Sequence, residues 1–428
     1  MLDLRFIREH AAEVKLNVNR RQVKIDIDEL LRLEHERLVL LQATEELRRE
    51  RNLIAEQMKK AATAVRPALI EQGKALKEVL GKQEVTLIVR EGAVKVLALQ
   101  VPNMTHPDAP DGASDEDNKE LEVIGTVPTL AFKPLTHVEL AAKHDLIDFE
   151  RGAKVAGAKF YFLKKQLAIL EQALIFWTLQ QMTAEGYTPM ITPDLAKDAV
   201  LLGTGYNPRG PETQIYSVEG SDLSLIGTAE ISLGGYHQDE IIDEDKLPLK
   251  YVGVSHCFRT EAGAYGRESY GLYRVHQFSK VELFLFCTPE QSNALHEELR
   301  RLEQMLFSKL GWVFRVVDIC TGDLGGPAYR KYDLEAWMWG RNEGRGGWGE
   351  VTSASNCTDY QARRLNVKIR RHDGSLEYAH TLNGTGIAIP RALIAILEQY
   401  QQADGSIAVP EVLQALCGFE RIGEQVRA

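Results

Sequence analysis

The sequence predicts an α+β protein in which an N-terminal antiparallel helical hairpin precedes an antiparallel β-sheet flanked by helices. Two observations indicate this fold class. Through the first hundred residues, mostly apolar side chains recur every seven positions, which is typical of long helices that pack together. Beyond residue 130, apolar runs of strand length follow one another at hairpin-like spacing, with helical patterns inserted between them. This order favours an antiparallel sheet over a repeated β–α–β unit.

The predicted hairpin consists of two heptad series separated by the segment TAVRP, whose Pro67 is unfavourable inside a helix. Each helix would be roughly 45–55 Å long at ~1.5 Å per residue. The segment KQEVTLIVREGAVKVLALQ is also strand-like, so a strand remains an alternative there. Periodicity alone favours a spacer or dimerisation element. The two series are Leu33, Leu40, Leu47, Ile54 and Ala61, then Gly73, Leu80, Leu87, Val94 and Val101.

Length and composition indicate a globular protein of two or three domains, since the chain has 428 residues with 44% hydrophobic and 26% charged side chains. The proline-containing segment VPNMTHPDAPDG reads as a linker, so we expect an N-terminal domain over 1–110 and a main domain over 111–428. No apolar run is long enough to cross a bilayer, and the N-terminus lacks the apolar core of a signal peptide. The five cysteines are widely spaced, which argues against a disulfide framework and favours a cytoplasmic protein.

Charge is unevenly distributed along the chain. Residues 1–100 contain 19 Lys+Arg and 16 Asp+Glu, whereas the remainder contains 32 and 45. A basic N-terminal part on an acidic body is consistent with a nucleic-acid contact through that part. A solvated, charged helix face explains the same numbers equally well.

The body is predicted to begin near residue 130. The segment QLAILEQALIFWTLQQMTAEGY is typical of a helix that stops at Gly186. The following TPMITPDL contains two prolines, which places it at an edge or interface. Strands are then predicted at LPLKYVGVSHCF, VHQFSKVELFLF, WVFRVVDICTG and KYDLEAWM, with a helix at EQSNALHEELRRLEQMLFSKL and a strand turning into a helix at GIAIPRALIAILEQYQ.

One stretch, FRTEAGAYGRESYGLYRVHQFSKVE, carries more charge and more aromatic rings than a simple hairpin needs. Phe278, Lys280 and Glu282 share one face of the second strand, because side chains alternate with a period of two. A planar group and an anion are therefore expected to bind there. Common nucleotide motifs are absent: there is no GxxxxGK[ST], and GRGGWG, which matches GxGxxG, is not followed by a helix. No HExxH motif is present.

Several strings together resemble bacterial-type seryl-tRNA synthetases, which are class II aminoacyl-tRNA synthetases. The resemblance runs in order from the N-terminal arm to LQALCGFERIG, essentially the whole chain. The strings are VPNM…DEDN, GTAEISL, CFRTEAG…GLYRVHQFSKVELF, TGDLG…YDLEAW, EVTSASNCTDYQARR and TLNGTGIAIPRALIAILEQYQQADGSIAVPEVL. The resemblance implies a class II antiparallel catalytic sheet behind a tRNA-binding arm.

The resemblance also implies site residues. Arg259 and Arg391 would be catalytic, gripping the phosphates of ATP, and Glu350 with Ser353 would hold magnesium. Serine-binding residues would be Thr228, Ala229, Glu230, Arg259, Glu282, Asn383 and Thr385. ATP-binding residues would be Arg259, Thr260, Glu261, Val275, Phe278, Glu350, Val351, Thr352, Ser353 and Arg391. Contacts of the arm with tRNA would come from Arg48, Arg49, Arg51, Lys59 and Lys60.

At four positions the sequence departs from the pattern of the family: Thr385 stands for Ser, Pro390 for Gly, Trp339 for Pro and Tyr270 for Arg. None removes a group that the chemistry requires. They affect the fine adjustment of the substrate site and the contacts of the loop in FRTEAGAYGRESYGLYR with the acceptor stem of the tRNA.

The implied reaction activates L-serine with ATP and transfers it to serine tRNA, and also to selenocysteine tRNA where the organism has one. The implied partners include a second copy of the chain, with tRNA bound across the homodimer, and no membrane. Two alternatives remain open at this point. One is a relative that activates serine and loads a carrier protein, and the other is an RNA-binding relative or scaffold without catalysis.

Overall fold

The computed structural model describes residues 1–207, 214–262 and 270–423. The chain forms two compact units, Met1–Met104 and Thr105–Ala428. The boundary between them lies inside the proline-containing segment that the sequence identifies as a linker. The functional division at 110/111 stays a prediction.

The first unit is helical. Its elements are α1 Leu4–Glu9, α2 Ala11–Arg20, α3 Ile27–Lys60 and α4 Arg66–Ala98. Helices α3 and α4 form the predicted hairpin, with 34 and 33 residues, or about 50 Å each. Pro67 lies in the first turn of α4, where its missing amide hydrogen costs no helical hydrogen bond. The strand alternative for KQEVTLIVREGAVKVLALQ is wrong, since nearly all of that segment lies within α4.

The seam between α3 and α4 is lined by buried residues of α4 along its length. Leu80, Leu87 and Val94 are buried, as the heptad series predicts, whereas Leu47 and Ile54 are only half-buried. The base also packs against α1 and α2 in a small apolar core. Helical stability in such an arm comes from this packed face, because isolated helices are marginal in water.

The second unit combines nine helices and seventeen strands within the described ranges. Its helices are α5 His137–His144, α6 Phe149–Ala156, α7 Lys165–Ala184, α8 Asp198–Thr204, α9 Ala229–Gly234, α10 Ser292–Lys309, α11 Tyr360–Leu365, α12 Ile389–Gln399 and α13 Glu411–Cys417. Its strands are β1 Lys119–Ile124, β2 Ile147–Asp148, β3 Phe162–Leu163, β4 Thr188–Ile191, β5 Leu195–Lys197, β6 Leu223–Leu225, β7 Ile241–Asp243, β8 Leu249–Phe258, β9 Gln277–Cys287, β10 Phe314–Asp318, β11 Arg330–Met338, β12 Gly347–Thr358, β13 Lys368–Arg370, β14 Leu376–Tyr378, β15 His380–Ala388, β16 Ile407–Ala408 and β17 Arg421–Ile422.

The central sheet has eight strands in the order β1-β10-β11-β12-β15-β9-β8-β4. Neighbouring strands are antiparallel, except that the edge strand β4 runs parallel to β8. Strand β4 corresponds to the proline-containing TPMITPDL, so its predicted edge position is confirmed. The expected α+β class with an antiparallel sheet is confirmed as well.

Strand β9 shows how the sheet separates its core from its site. Val281, Leu283 and Leu285 point to one face, where they join the main core with α7, α10 and α12. Phe278 and Glu282 point to the opposite face, into a cavity. Burying a leucine contributes about 1.5–3 kcal/mol, so the apolar face holds the strand in the register that presents the polar face to the cavity.

Candidate active site

A cavity of about 390 Å³ lies on the open face of the central sheet, over strands β9, β11, β12 and β15 and the start of α12. It brings together residues that are far apart in sequence. The predicted site residues that line it are Glu230, Arg259, Glu261, Val275, Phe278, Glu282, Glu350, Val351, Ser353, Asn383, Thr385 and Arg391.

Four predicted site residues do not line this cavity. Thr228 caps α9, where its hydroxyl accepts from the backbone N–H of Glu230 at 3.2 Å. Ala229 is buried in the apolar cluster beneath α9. The backbone N–H of Thr260 donates to Gln214, and the buried Thr352 hydroxyl donates to Glu303 at 3.0 Å. These four support the wall of the cavity from behind or beside it.

One end of the cavity offers a guanidinium next to an aromatic ring. Arg259 directly follows β8, and its Nε donates to the carbonyl of Gly227 at 3.2 Å. Its Cζ lies 5.3 Å from the centre of the Phe278 ring. Glu261 adopts a left-handed backbone conformation with φ of 50°, and its carboxylate lies 3.5 Å from Arg274. The aromatic face, the cation and the carboxylate can together bind a ligand in which a planar ring is joined to an anionic group.

A second group of charged residues contains Glu350 and Arg391. The Arg391 guanidinium lies 3.1 Å from the Glu350 carboxylate and 4.6 Å from the ring centre of Tyr273. Burial acts to raise the pKa of Glu350, but the positive charges of Arg391, Lys331 and Arg259 outweigh it and lower the pKa well below its usual value. The carboxylate is therefore ionised, and the surrounding cations leave this end suited to a polyanion.

A third group of residues surrounds Glu230 in the same cavity. Its carboxylate accepts from Tyr206 Oη at 2.9 Å, Gln361 Nε2 at 2.7 Å and Asn383 Nδ2 at 2.9 Å. Burial raises the pKa of Glu230, and the hydrogen bonds from Gln361 and Tyr206 act against that rise.

Glu282 forms the floor of this part of the cavity with Lys280. The two side chains are 2% and 7% exposed and form an ion pair. Burial raises the pKa of Glu282 to about 7, although the charge of Lys280 lowers it in part. Thr385 lies opposite Glu282 on the neighbouring strand β15. A small polar side chain can be bound between these two residues.

Several cavity residues were not identified from the sequence. Tyr206 and Tyr273 line it, as does Lys331, which lies 3.1 Å from Asp333. Gln361 holds Glu230 from behind. The alternation of Lys331 and Asp333 in KYDLEAWM is a signal that could have indicated a polar face. Tyr206 comes from a loop, where no periodicity exists to find it.

The departures from the family pattern lie in different surroundings. Pro390 lines the cavity in the first turn of α12. Trp339 packs edge-on against Trp337 at 5.7 Å between ring centres. Tyr270 is 66% exposed. Residues 263–269 of the same loop lie outside the described residues, so its predicted contacts with the acceptor stem stay a prediction.

The predicted contact residues of the arm are exposed. Arg48 bridges the two helices of the hairpin, 2.9 Å from Glu84, and Lys59 lies 2.6 Å from Glu56. Arg49, Arg51 and Lys60 are exposed on the same helix. Their guanidinium and ammonium groups are accessible for phosphate contacts.

Two kinds of feature are absent from the described part of the chain. In residues 1–207, 214–262 and 270–423, no group of three or more His, Cys, Asp or Glu side chains is arranged to hold a metal ion. Across the same ranges, no helix has the length and apolarity that a membrane crossing requires.

An eight-stranded, mostly antiparallel sheet that carries an arginine after one strand and a second arginine at the start of a helix is typical of a class II aminoacyl-tRNA synthetase core. Residues 215–400 match the model of the tRNA synthetase class II core domain (G, H, P, S and T). Residues 1–105 match that of the seryl-tRNA synthetase N-terminal domain. The chain belongs to the seryl-tRNA synthetase family.

Relatives of the whole chain agree with this family. The serine–tRNA ligase of Treponema denticola is 54% identical over 424 residues, covering 99% of this chain and all of the relative. That of Dictyoglomus thermophilum is 51% identical over 425 residues, with 99% of each covered. A crystal structure of seryl-tRNA synthetase from Pyrococcus horikoshii complexed with ATP is 39% identical, covers 99% of each chain and has a TM-score of 0.89.

Proposed function

We propose that this protein is a serine–tRNA ligase that activates L-serine with ATP and transfers it to the 3′ end of serine tRNA. The observation that carries the proposal is a single cavity with two complementary ends. The end at Glu230 and Glu282 suits an ammonium and a hydroxyl, whereas the end at Arg259 and Arg391 suits phosphates. The full-length match to serine–tRNA ligases supports the same conclusion.

In the first step, a carboxylate oxygen of serine forms a bond to the α-phosphorus of ATP, and the bond from that phosphorus to pyrophosphate breaks. Arg259 holds the α-phosphate and the serine carboxylate, because a guanidinium binds oxyanions through paired hydrogen bonds. Arg391 holds the γ-phosphate, and the start of α12 adds its own positive end. Catalysis rests on positioning and charge stabilisation, with no nucleophilic side chain.

The adenine would stack on Phe278 with Glu261 at its edge. This assignment is supported by the placement of Phe278 beside Arg259 and by a related structure that contains ATP. Val275 and Val351 line the same space. In the second step, a hydroxyl of the terminal adenosine of the tRNA attacks the seryl carbonyl, and AMP leaves.

Magnesium fits the phosphate end through Glu350 and Ser353. Both offer oxygen atoms to the cavity, and Mg²⁺ is commonly held by one or two protein oxygens together with substrate phosphates. The low pKa of Glu350 keeps its carboxylate ionised and ready to bind a cation. When bound, the ion would neutralise charge on the phosphates.

The arm is proposed to bind the tRNA through phosphate contacts from Arg48, Arg49, Arg51, Lys59 and Lys60. Such contacts position the nucleic acid and read no bases. Selenocysteine tRNA would be bound in the same way where the organism has one. Charging assays with both tRNA transcripts test this extension.

We also propose a homodimer across which tRNA binds, in the cytoplasm. Large apolar side chains are exposed on β4 and α7, with Ile191 at 89%, Phe176 at 52% and Ile169 at 47%. Exposed apolar surface of this kind marks interaction sites. Light scattering of the parent and of Ile191→Glu measures the assembly, and a dimeric mass that the substitution leaves unchanged would place the interface elsewhere.

Amino-acid-dependent ATP–pyrophosphate exchange across the twenty amino acids tests the function directly. We expect exchange with serine far above every other amino acid, and serine attached to serine tRNA in a charging assay. Exchange without tRNA charging, combined with loading of a carrier protein, would support the carrier-loading alternative. If no amino acid supported exchange, the result would favour the alternative of an RNA-binding relative without catalysis.

A further inference from the structure

The hydrogen bonds to the carboxylate of Glu230 come from neutral groups. Its three donors are the Tyr206 hydroxyl and the side-chain amides of Gln361 and Asn383, and among the described residues it forms no ion pair. Glu230 is only 7% exposed. Burial disfavours the charged form of this carboxylate, and the positive charges of Lys280 and Arg259 offset that effect only in part, so a further cation that enters the cavity would stabilise it.

Gln361 is itself fixed. It is fully buried, its amide also donates to the carbonyl of Thr204 at 3.0 Å, and its carbonyl accepts from the hydroxyl of Thr381 at 2.7 Å. The Oε1 atom of Glu230 therefore has two donors, Gln361 and Asn383, whose positions the sheet and α11 determine. The other oxygen, Oε2, depends on Tyr206.

Tyr206 reaches Glu230 from a loop and lines the cavity. Its ring is partly buried against the small apolar cluster that contains Leu201, Ile226 and Ile231. This packing aims its hydroxyl at Oε2 of Glu230 at 2.9 Å. Burial and the neighbouring carboxylate raise the pKa of Tyr206 far above its usual value, so the hydroxyl remains a donor.

We infer that Tyr206 is a positioning residue for the amino acid: it holds the Glu230 carboxylate in the orientation that binds the α-ammonium group. Without this hydroxyl, Oε2 loses its hydrogen bond and the carboxylate can rotate. The inference rests on the proposed function, since it presumes that an amino acid binds at Glu230. We assign this role to Tyr206 because Gln361 and Asn383 both donate to Oε1 and only Tyr206, among the described residues, donates to Oε2.

Tyr206→Phe tests the inference in ATP–pyrophosphate exchange. The KM for serine should rise about tenfold, at the lower end of what a hydrogen bond to a charged group contributes, because two donors remain. The KM for ATP should stay within twofold. Tyr187→Phe is the matched control, since Tyr187 is also buried but its hydroxyl has no hydrogen-bond partner among the described residues. It should leave both KM values unchanged.

A pair of non-hydrolysable adenylate analogues separates positioning from general packing. One is a seryl sulfamoyl-adenosine, and the other is identical but has hydrogen in place of the amino group. Tyr206→Phe should weaken binding of the seryl analogue about tenfold and binding of the analogue without the amino group by less than twofold. Equal weakening of both, or of neither, would overturn the inference. The ratio is measured within one variant, so partial loss of stability affects both ligands alike.

Gln361→Met provides a second test if Tyr206→Phe folds poorly. It should also weaken the amino-containing analogue selectively, because it removes a donor from the other oxygen of the same carboxylate. A parent protein that exchanges no pyrophosphate with serine would refute the proposed function. A parent that exchanges normally, with Tyr206→Phe unchanged, would refute only the role of Tyr206.

Discussion

The arm and the cavity use the same charged residue types in opposite surroundings. Arg48 and Glu84 join the two helices of the arm with their side chains 46% and 37% exposed. Lys280 and Glu282 in the cavity are 7% and 2% exposed. An exposed pair contributes about 0–1 kcal/mol, whereas breaking a buried pair costs about 3–5 kcal/mol.

This difference has a functional consequence. Under the proposed function, we expect the charges on the arm to act together on the phosphates of a tRNA, so each of them should be replaceable. We expect the charges in the cavity to act singly on defined atoms of the substrates, so the loss of one should not be compensated by the others. The variants below test this contrast, beginning with the largest expected effect.

Removing the outer part of the arm should separate the two functions. Residues 38–89 are replaced by a short Gly/Ser linker, which keeps the core at the base of the hairpin, including Leu33 and Val94. Charging of serine tRNA should fall on the order of a hundredfold or more, because several phosphate contacts are lost together. Pyrophosphate exchange should remain at the parental level, since the residues that line the cavity all follow residue 204.

Charging and exchange rates of this variant are compared with the parent, and circular dichroism confirms that the rest of the protein is folded. Parental charging by the shortened protein would show that the arm is a spacer. The rest of the protein would then account for tRNA recognition.

Arg391→Ala should produce the largest loss in the cavity. It removes a preorganised cation beside Glu350, and such a loss costs on the order of 100–1,000-fold in rate. Pyrophosphate exchange measures it at saturating serine and ATP. Arg345→Ala is the control, because Arg345 is exposed and its Nε donates to the backbone of Asn342. A change of only a few-fold in Arg391→Ala would contradict its role at the phosphates.

Glu282 should give the reaction a pH dependence. Its pKa of about 7 means that the carboxylate ionises as the pH rises through neutrality. The ionised form accepts a hydrogen bond from the serine hydroxyl, so kcat/KM for serine should increase through about pH 7 and level off above it. Glu282→Gln should remove this inflection and lower kcat/KM about ten- to a hundredfold.

Exchange with serine and alanine between pH 6 and 8.5 measures both effects. The parent should prefer serine by on the order of 10⁴-fold, as expected for a site that bonds a substrate hydroxyl. This preference should shrink in Glu282→Gln. Glu335→Gln is the control, since Glu335 pairs with Arg315 outside the cavity. An inflection that persists in Glu282→Gln would belong to another group.

Single substitutions in the arm should have the smallest effect. Lys60→Ala should lower charging less than about threefold at moderate salt, while the slope of log affinity against log salt decreases by about 1. Filter binding to serine tRNA at several salt concentrations measures this slope. Lys246→Ala, an exposed lysine of the second unit, is the control. A loss as large as that of Arg391→Ala would show that the arm also contains singly essential charges.

Much of the architecture follows from local patterns. The heptad spacing and Pro67 predict both helices of the arm and the turn between them, because helix periodicity and the missing proline amide act within a few residues. The period of two in VHQFSKVELFLF predicts that Phe278, Lys280 and Glu282 share a face. Burial of the alternate residues on β9 confirms it.

The sequence by itself therefore determined the two helices of the arm, the longer helices α7, α10 and α12, the strands β8 to β11 and the edge position of β4. Through its resemblance to a family, it also indicated the set of arginines and carboxylates. Only the tertiary structure decided which groups meet. Tyr206, Gln361 and Asn383 are 24, 131 and 153 residues from Glu230, and they converge on one carboxylate. No short-range pattern encodes such a contact, because it depends on the register of distant strands and on a loop held by its own apolar packing.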